Sequence, residues 1–185
     1  MAKKERKFED YFKIIKHKIP YWEELPEIDL YMDQVIVLMD KYLSFHKTDE
    51  NSIIITHSMI NNYVKLGIMP APVKKKYSRE HIAYLIMICT LKQCLPISEI
   101  KHLINLRVQR TSIEETLNFF SDLYDSTFNT VIAIGKKFSL KKPEDDEFLS
   151  DTALFMAIGS SASKYIASQI YNINKRENND DNDKE

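Results

Sequence analysis

The chain has 185 residues, of which 44% are hydrophobic and 11% aromatic, enough for a core and too apolar for a disordered chain. Only Gly67, Gly135 and Gly159 occur, which argues against a β-rich fold with many tight turns and for long helices with few loops. The net charge of −1 hides an asymmetry: residues 1–55 hold 9 basic and 11 acidic side chains, residues 56–110 hold 9 and 2, and residues 111–185 hold 8 and 14. A basic middle suits an anionic partner, or simply packs against acidic flanks.

No apolar h-region follows the charged N-terminus, so no secretory signal is expected. The longest uncharged apolar stretches, Ile82 to Leu91 and Thr152 to Ser163, fall short of the roughly 18 residues a membrane span needs, so no membrane association is expected. Cys89 and Cys94 make neither a disulfide framework nor a zinc pattern. They read as buried thiols, and the cytoplasm is the expected compartment.

Prolines punctuate the chain. A first amphipathic helix is predicted over Glu5 to His17, with Phe8, Tyr11, Phe12 and Ile15 at helical spacing, and the Pro20 to Pro26 connector pins it through Trp22. A second helix is predicted from Leu30 to His46 with Asp29 as N-cap and Tyr31, Val35, Leu38, Met39, Tyr42 and Phe45 inward. A third starts at Thr56 and stops at Gly67. Its apolar set leaves His57, Ser58, Asn61, Asn62 and Lys65 on the other side, and adjacent amides suit base edges and phosphates better than an ordinary solvated face. Ser78, with His81 three residues on, opens a helix that is nearly all core. Ser98 caps a short helix, Ser112 to Phe138 forms a long one, and a last helix spans Phe148 to Asn174 before a disordered acidic tail.

At Met59-Ile60-Asn61-Asn62-Tyr63-Val64-Lys65-Leu66-Gly67-Ile68-Met69-Pro70 the sequence resembles the DNA-binding part of MerR-family transcription regulators. Tyr77-Ser78-Arg79-Glu80-His81 and Cys94-Leu95-Pro96-Ile97-Ser98-Glu99-Ile100-Lys101 continue that resemblance in order. The chain as a whole is similar to the bacterial domain-of-unknown-function 1836 family, a likeness that implies a compact domain from about Leu25 to Ile104 and no established activity. The chain departs from the MerR pattern in a long spacer, Lys47 to Ile55, an abbreviated wing, Ala71 to Lys76, and Cys94 where a glycine is usual. Asn61 replaces an arginine common in the recognition helix.

The expected fold is therefore all-α, a MerR-like winged helix-turn-helix module followed by two long C-terminal helices. The expected divisions are 1–24 for the N-terminal helix and connector and 25–108 for the helix-turn-helix domain. A helical hairpin for dimerisation or an effector follows at 109–175, and an acidic tail at 176–185. The resemblance implies a regulator bound to double-stranded DNA as a homodimer through its C-terminal helices. His57, Ser58, Asn61, Asn62 and Lys65 would meet the major groove, and Lys74, Lys75, Lys76 and Arg79 the phosphates. About four phosphates per subunit would give a log–log salt slope near −4. No catalytic motif, cofactor cradle or metal-ligand spacing is found, so an enzyme, a cofactor and a metal are not expected. The alternative is a helical protein-interaction adaptor that does not touch DNA, favoured if Glu27, Asp29 or the acidic C-terminal part covers the basic residues.

Overall fold

The computed structural model describes residues 18–139 and 148–182. The predicted first helix and the charged Lys141 to Glu147 loop lie outside the described residues, as do the last three residues of the expected tail. The fold is all-α apart from a two-stranded antiparallel sheet.

Strand β1 (Leu30–Tyr31) leads into helix α1 (Met32–Tyr42). The expected helix start, Leu30 with Asp29 as its N-cap, is wrong by two residues. Leu30 pairs with Tyr77 and Tyr31 with Lys76 in strand β2 (Lys76–Tyr77), and this non-local ladder overrides the local helical period. The helix opens instead at Tyr31, whose N–H donates to Gln34 Oε1 at 2.9 Å. Past Tyr42 the chain tightens into a 3-10 turn, Ser44–His46.

Helix α2 (His57–Lys65) begins and ends where its signals place it. The Thr56 hydroxyl accepts from the Met59 N–H at 3.2 Å. At the other end Gly67 takes φ +64, and the N–H groups of Gly67 and Ile68 bond to the carbonyls of Val64 and Tyr63 at 2.9 and 3.0 Å. That Schellman closure satisfies two carbonyls that the helix leaves open.

Helix α3 (Arg79–Leu91) forms the centre of the core. From His81 to Thr90 only Tyr84 is not buried. Val35 and Met39 of α1 and Ile60 and Tyr63 of α2 belong to the same apolar cluster. Ile100 and Ile104 of helix α4 (Ile97–Val108) complete it on another side. Helix α4 starts two residues earlier than a Ser98 cap predicts. Pro96 sits in extended backbone and its carbonyl takes the N–H groups of Glu99 and Ile100, both at 3.1 Å, so Ser98 lies inside the first turn.

Helix α5 (Ile113–Ser139) is opened by a reciprocal cap: Ser112 Oγ accepts from Glu115 N–H at 3.1 Å and Glu115 Oε2 from Ser112 N–H at 3.2 Å. One compact unit runs from Lys16 to Phe128, past the expected limits of 25 and 108. Leu117 is fully buried, the buried Ser121 hydroxyl donates to the Pro20 carbonyl at 3.1 Å, and Trp22 N–H donates to Asn118 Oδ1 at 2.9 Å. The connector and the first half of α5 thus satisfy each other's polar groups.

The described residues of the second unit are 129–139 and 148–182. Helix α6 (Phe148–Asn182) runs beyond the expected end at Asn174 and into the segment expected to be disordered. Leu154, Ile158, Tyr165, Ile166, Ile170 and Ile173 are exposed along it. No helix among the described residues is long and apolar enough to cross a membrane.

His46 makes a pH-dependent contribution to the first unit. Its Nε2 is buried without a hydrogen-bond partner, and burial, aided by the nearby Lys92 charge, holds its pKa below the usual histidine value. The unfolded chain therefore takes up this proton first, so stability is full above about pH 6.5 and falls as the pH drops through that value. Urea midpoints measured from pH 7.5 to 5 should fall more steeply for the natural chain than for His46→Gln; parallel curves would remove His46 as the cause.

Candidate nucleic-acid interface

The outward side of α2 carries Ser58, Asn61, Asn62 and Lys65 at helical spacing, opposite the buried Ile60 and Tyr63. All four are exposed, as is His57. Among the described residues no ion pair or side-chain hydrogen bond engages Ser58, Asn61, Asn62 or Lys65. Two amides and an ammonium therefore stand in solvent with their donors and acceptors unspent. His57 differs: its Nε2 lies 2.6 Å from Asp33 Oδ1 in the first turn of α1.

The loop after α2 is a tight hairpin. Val73 and Lys76 exchange both backbone hydrogen bonds, at 3.1 and 2.9 Å, leaving Lys74 and Lys75 as the two central residues. Their φ angles are +51 and +64, the signature of a type I′ turn. Such positions favour Asn and Gly, because an L side chain in the left-handed region costs roughly 1–2 kcal/mol. Two consecutive lysines here are thus held against backbone preference. Both are exposed and neither has a partner among the described residues.

The remaining cations are committed elsewhere to different degrees. Lys76 Nζ lies 5.5 Å from the centre of the Tyr31 ring. Arg79, at the first position of α3, has a largely buried side chain, 17% exposed. Its guanidinium meets Glu27 at 3.4 Å, the Pro26 carbonyl at 3.4 Å and the face of Trp22 at 5.3 Å. These contacts offset a cation's poor fit at a helix N-terminus and hold the connector. The structure thus does not join Arg79 to the hairpin lysines.

The start of α1 links the two exposed sets. Tyr31 lies beneath the Lys76 ammonium, and Asp33, two residues on, holds His57. The hairpin and the first turn of α2 are therefore both anchored to one short stretch of chain. At the hairpin root, His81 Nδ1 accepts from the Ser78 N–H at 3.0 Å, which leaves its Nε2 proton for the Ala71 carbonyl at 3.2 Å. At the far end of α2, Lys101 Nζ donates to the Leu66 carbonyl at 2.7 Å, a cation on a helix C-terminus. Sequence reasoning missed Tyr31, Asp33 and Lys101, since each acts on a partner 24 or more residues away.

The cysteines divide. Cys89 is buried and its thiol is pushed up to about 11 by desolvation, which suppresses thiolate chemistry. Cys94 is exposed, contrary to the expectation of two buried thiols, because it lies in the turn after α3. Among the described residues no group of three His, Cys, Asp or Glu could hold a metal ion.

A family model described as "Domain of unknown function (DUF1836)" matches residues 20–127, more than half of the chain. The chain belongs to the DUF1836 family. The matched span nearly coincides with the compact unit Lys16 to Phe128, so the DUF1836 domain includes the Pro20 connector and the first half of α5. No curated protein and no solved structure matches the chain.

The strained hairpin tip yields a stability test. Replacing Lys74→Asn together with Lys75→Gly should relieve the left-handed strain and stabilise the domain by about 1 kcal/mol or more, raising its urea midpoint. A lower midpoint would mean that the lysines stabilise the turn.

Proposed function

We propose that the DUF1836 domain of this chain is a double-stranded-DNA-binding module of MerR-like, winged helix-turn-helix type, acting in transcription regulation. In this reading α2 enters the major groove and the Val73–Lys76 hairpin is a short wing on the phosphates. The observation that carries the proposal is the pair of unpartnered lysines kept at both strained positions of a type I′ turn. Strain maintained at a solvent-facing tip is a mark of function, and two ammonium groups there suit a polyanion.

The outward side of α2 supplies the second support. Asn61 and Asn62 can each offer a donor and an acceptor to adenine, a pairing worth about 1–3 kcal/mol of discrimination. Ser58 and Lys65 lie on the same side, and the shared anchorage on Tyr31 and Asp33 keeps hairpin and helix together. Arg79 holds the connector in this scheme, and Lys76 is a lesser phosphate contact.

The adaptor alternative has its own observation: carboxylates do reach two of the expected DNA contacts, Glu27 at Arg79 and Asp33 at His57. Neither engages Lys65, Lys74 or Lys75, which favours the DNA reading. The exposed apolar row of α6 supports self-association, and paired copies would read two half-sites. A DNA-bound role implies the cytoplasm of a bacterial cell.

Binding to mixed genomic fragments, followed by fluorescence anisotropy between 50 and 200 mM salt, tests the assignment. Lys74→Asn with Lys75→Gly should weaken binding and reduce the magnitude of the log–log salt slope by about 2 per subunit. Asn61→Ala should flatten preference among sequences and leave that slope unchanged. Absence of salt-dependent binding by the natural chain would favour the adaptor. For assembly, light scattering should give a dimer for the natural chain and a monomer for Ile166→Glu with Ile170→Glu; a monomeric natural chain would end the dimer reading.

A further inference from the structure

A cleft of about 530 Å3 opens between the Gly67–Pro70 exit of α2, helix α3 and the turn joining α4 to α5. It is separate from the outward side of α2 and from the hairpin tip. Its apolar walls come from Ile68, Met69, Val108 and Ile113. Glu80 and Tyr84 line it one helical turn apart on α3, and Asn105 adds an amide from α4. The Tyr84 phenol is pushed upward by burial and by the charge of Glu80, so those two groups share one environment.

These polar groups have no assigned structural task. Among the described residues, the side chains of Glu80, Tyr84 and Asn105 form no hydrogen bond or ion pair. The other polar side chains of the cleft are occupied: Thr111 bonds to the Arg107 carbonyl and to Thr116, and Ser112 caps α5. Among the described residues no lysine, arginine or histidine lines the cleft and Glu80 is its one carboxylate; the neighbouring Lys101 ammonium is spent on the Leu66 carbonyl. A concave, partly apolar space with a few converging polar groups is the usual form of a small-molecule site.

We propose that this cleft binds a small organic cation, an ammonium or amidinium group carried on an aromatic or branched apolar body. The Glu80 carboxylate pairs with the cationic head. Tyr84 Oη and Asn105 Oδ1 accept its remaining N–H donors, and the body lies against Ile68, Met69, Val108 and Ile113. An anion of the same shape is repelled by Glu80. The site does not depend on the DNA-binding reading.

Benzamidinium is a suitable probe, with benzoate as its anionic counterpart. In amide NMR spectra of the full chain, benzamidinium should give saturable shifts at Gly67, Ile68, Met69 and Thr111 to Ile113, and benzoate should give none. Glu80→Gln should weaken benzamidinium binding about tenfold, because a hydrogen bond to a charged group is lost as such. Glu80 is exposed in the first turn of α3, so the neutral isostere keeps the fold. Tyr84→Phe and Asn105→Ala should each weaken binding several-fold. Non-saturating or scattered shifts, equal affinity in Glu80→Gln, or binding of benzoate at the same place would each overturn the proposal.

Discussion

Helix α3 has almost no surface of its own, and the rest of the domain is arranged to cover it. Ile82, Leu85, Ile86, Met87 and Ile88 are all at most 1% exposed. Each such side chain contributes roughly 1.5–3 kcal/mol on burial, so a helix apolar on every side must be wrapped rather than merely packed. Helices α1, α2 and α4 and the first half of α5 provide that wrapping. The exposed face of α2 is set by the same constraint, because Ile60 and Tyr63 can reach the core only if Asn61, Asn62 and Lys65 point away.

The basic residues of the middle segment divide into two groups. Arg79 holds the connector, Lys92 donates to the Ile54 carbonyl at 2.5 Å, Lys101 closes α2, and the Arg107 guanidinium lies 3.9 Å from the centre of the Phe119 ring. These cations are used inside the domain, on carbonyls, a carboxylate and aromatic faces. Among the described residues Lys65, Lys74, Lys75 and the exposed Arg110 are not. Net charge along the sequence therefore overstates the surface available to a polyanion. What distinguishes Lys65, Lys74 and Lys75 is location at a helix face and a strained turn, not their number.

The hairpin and the cleft are joined by the same short exit from α2. Gly67 to Pro70 forms one wall of the cleft, and the residues just after it form the hairpin, whose root is held by His81. Gly67 is needed there for its positive φ, which turns the chain sharply enough to bury Ile68 and Met69. A small-molecule site beside that segment would lie next to the two elements proposed to meet DNA, yet use none of their side chains.

Much of this was legible in the residues. Glycine scarcity and helical periodicity gave the all-α class. Thr56 and Gly67 bounded α2, because caps and Schellman closures act within a few residues of chain. Strand β1 was not legible, since a two-residue strand is defined only by its partner at Lys76 and Tyr77. The same reason hid the roles of Arg79, Asp33 and Lys101: a cation's partner across the fold leaves no local trace. Likewise the cleft needs Glu80, Tyr84 and Asn105 to converge from two helices. Local chemistry written in the sequence determined where helices start and stop; folding alone decided which charges were consumed internally and which were left facing water.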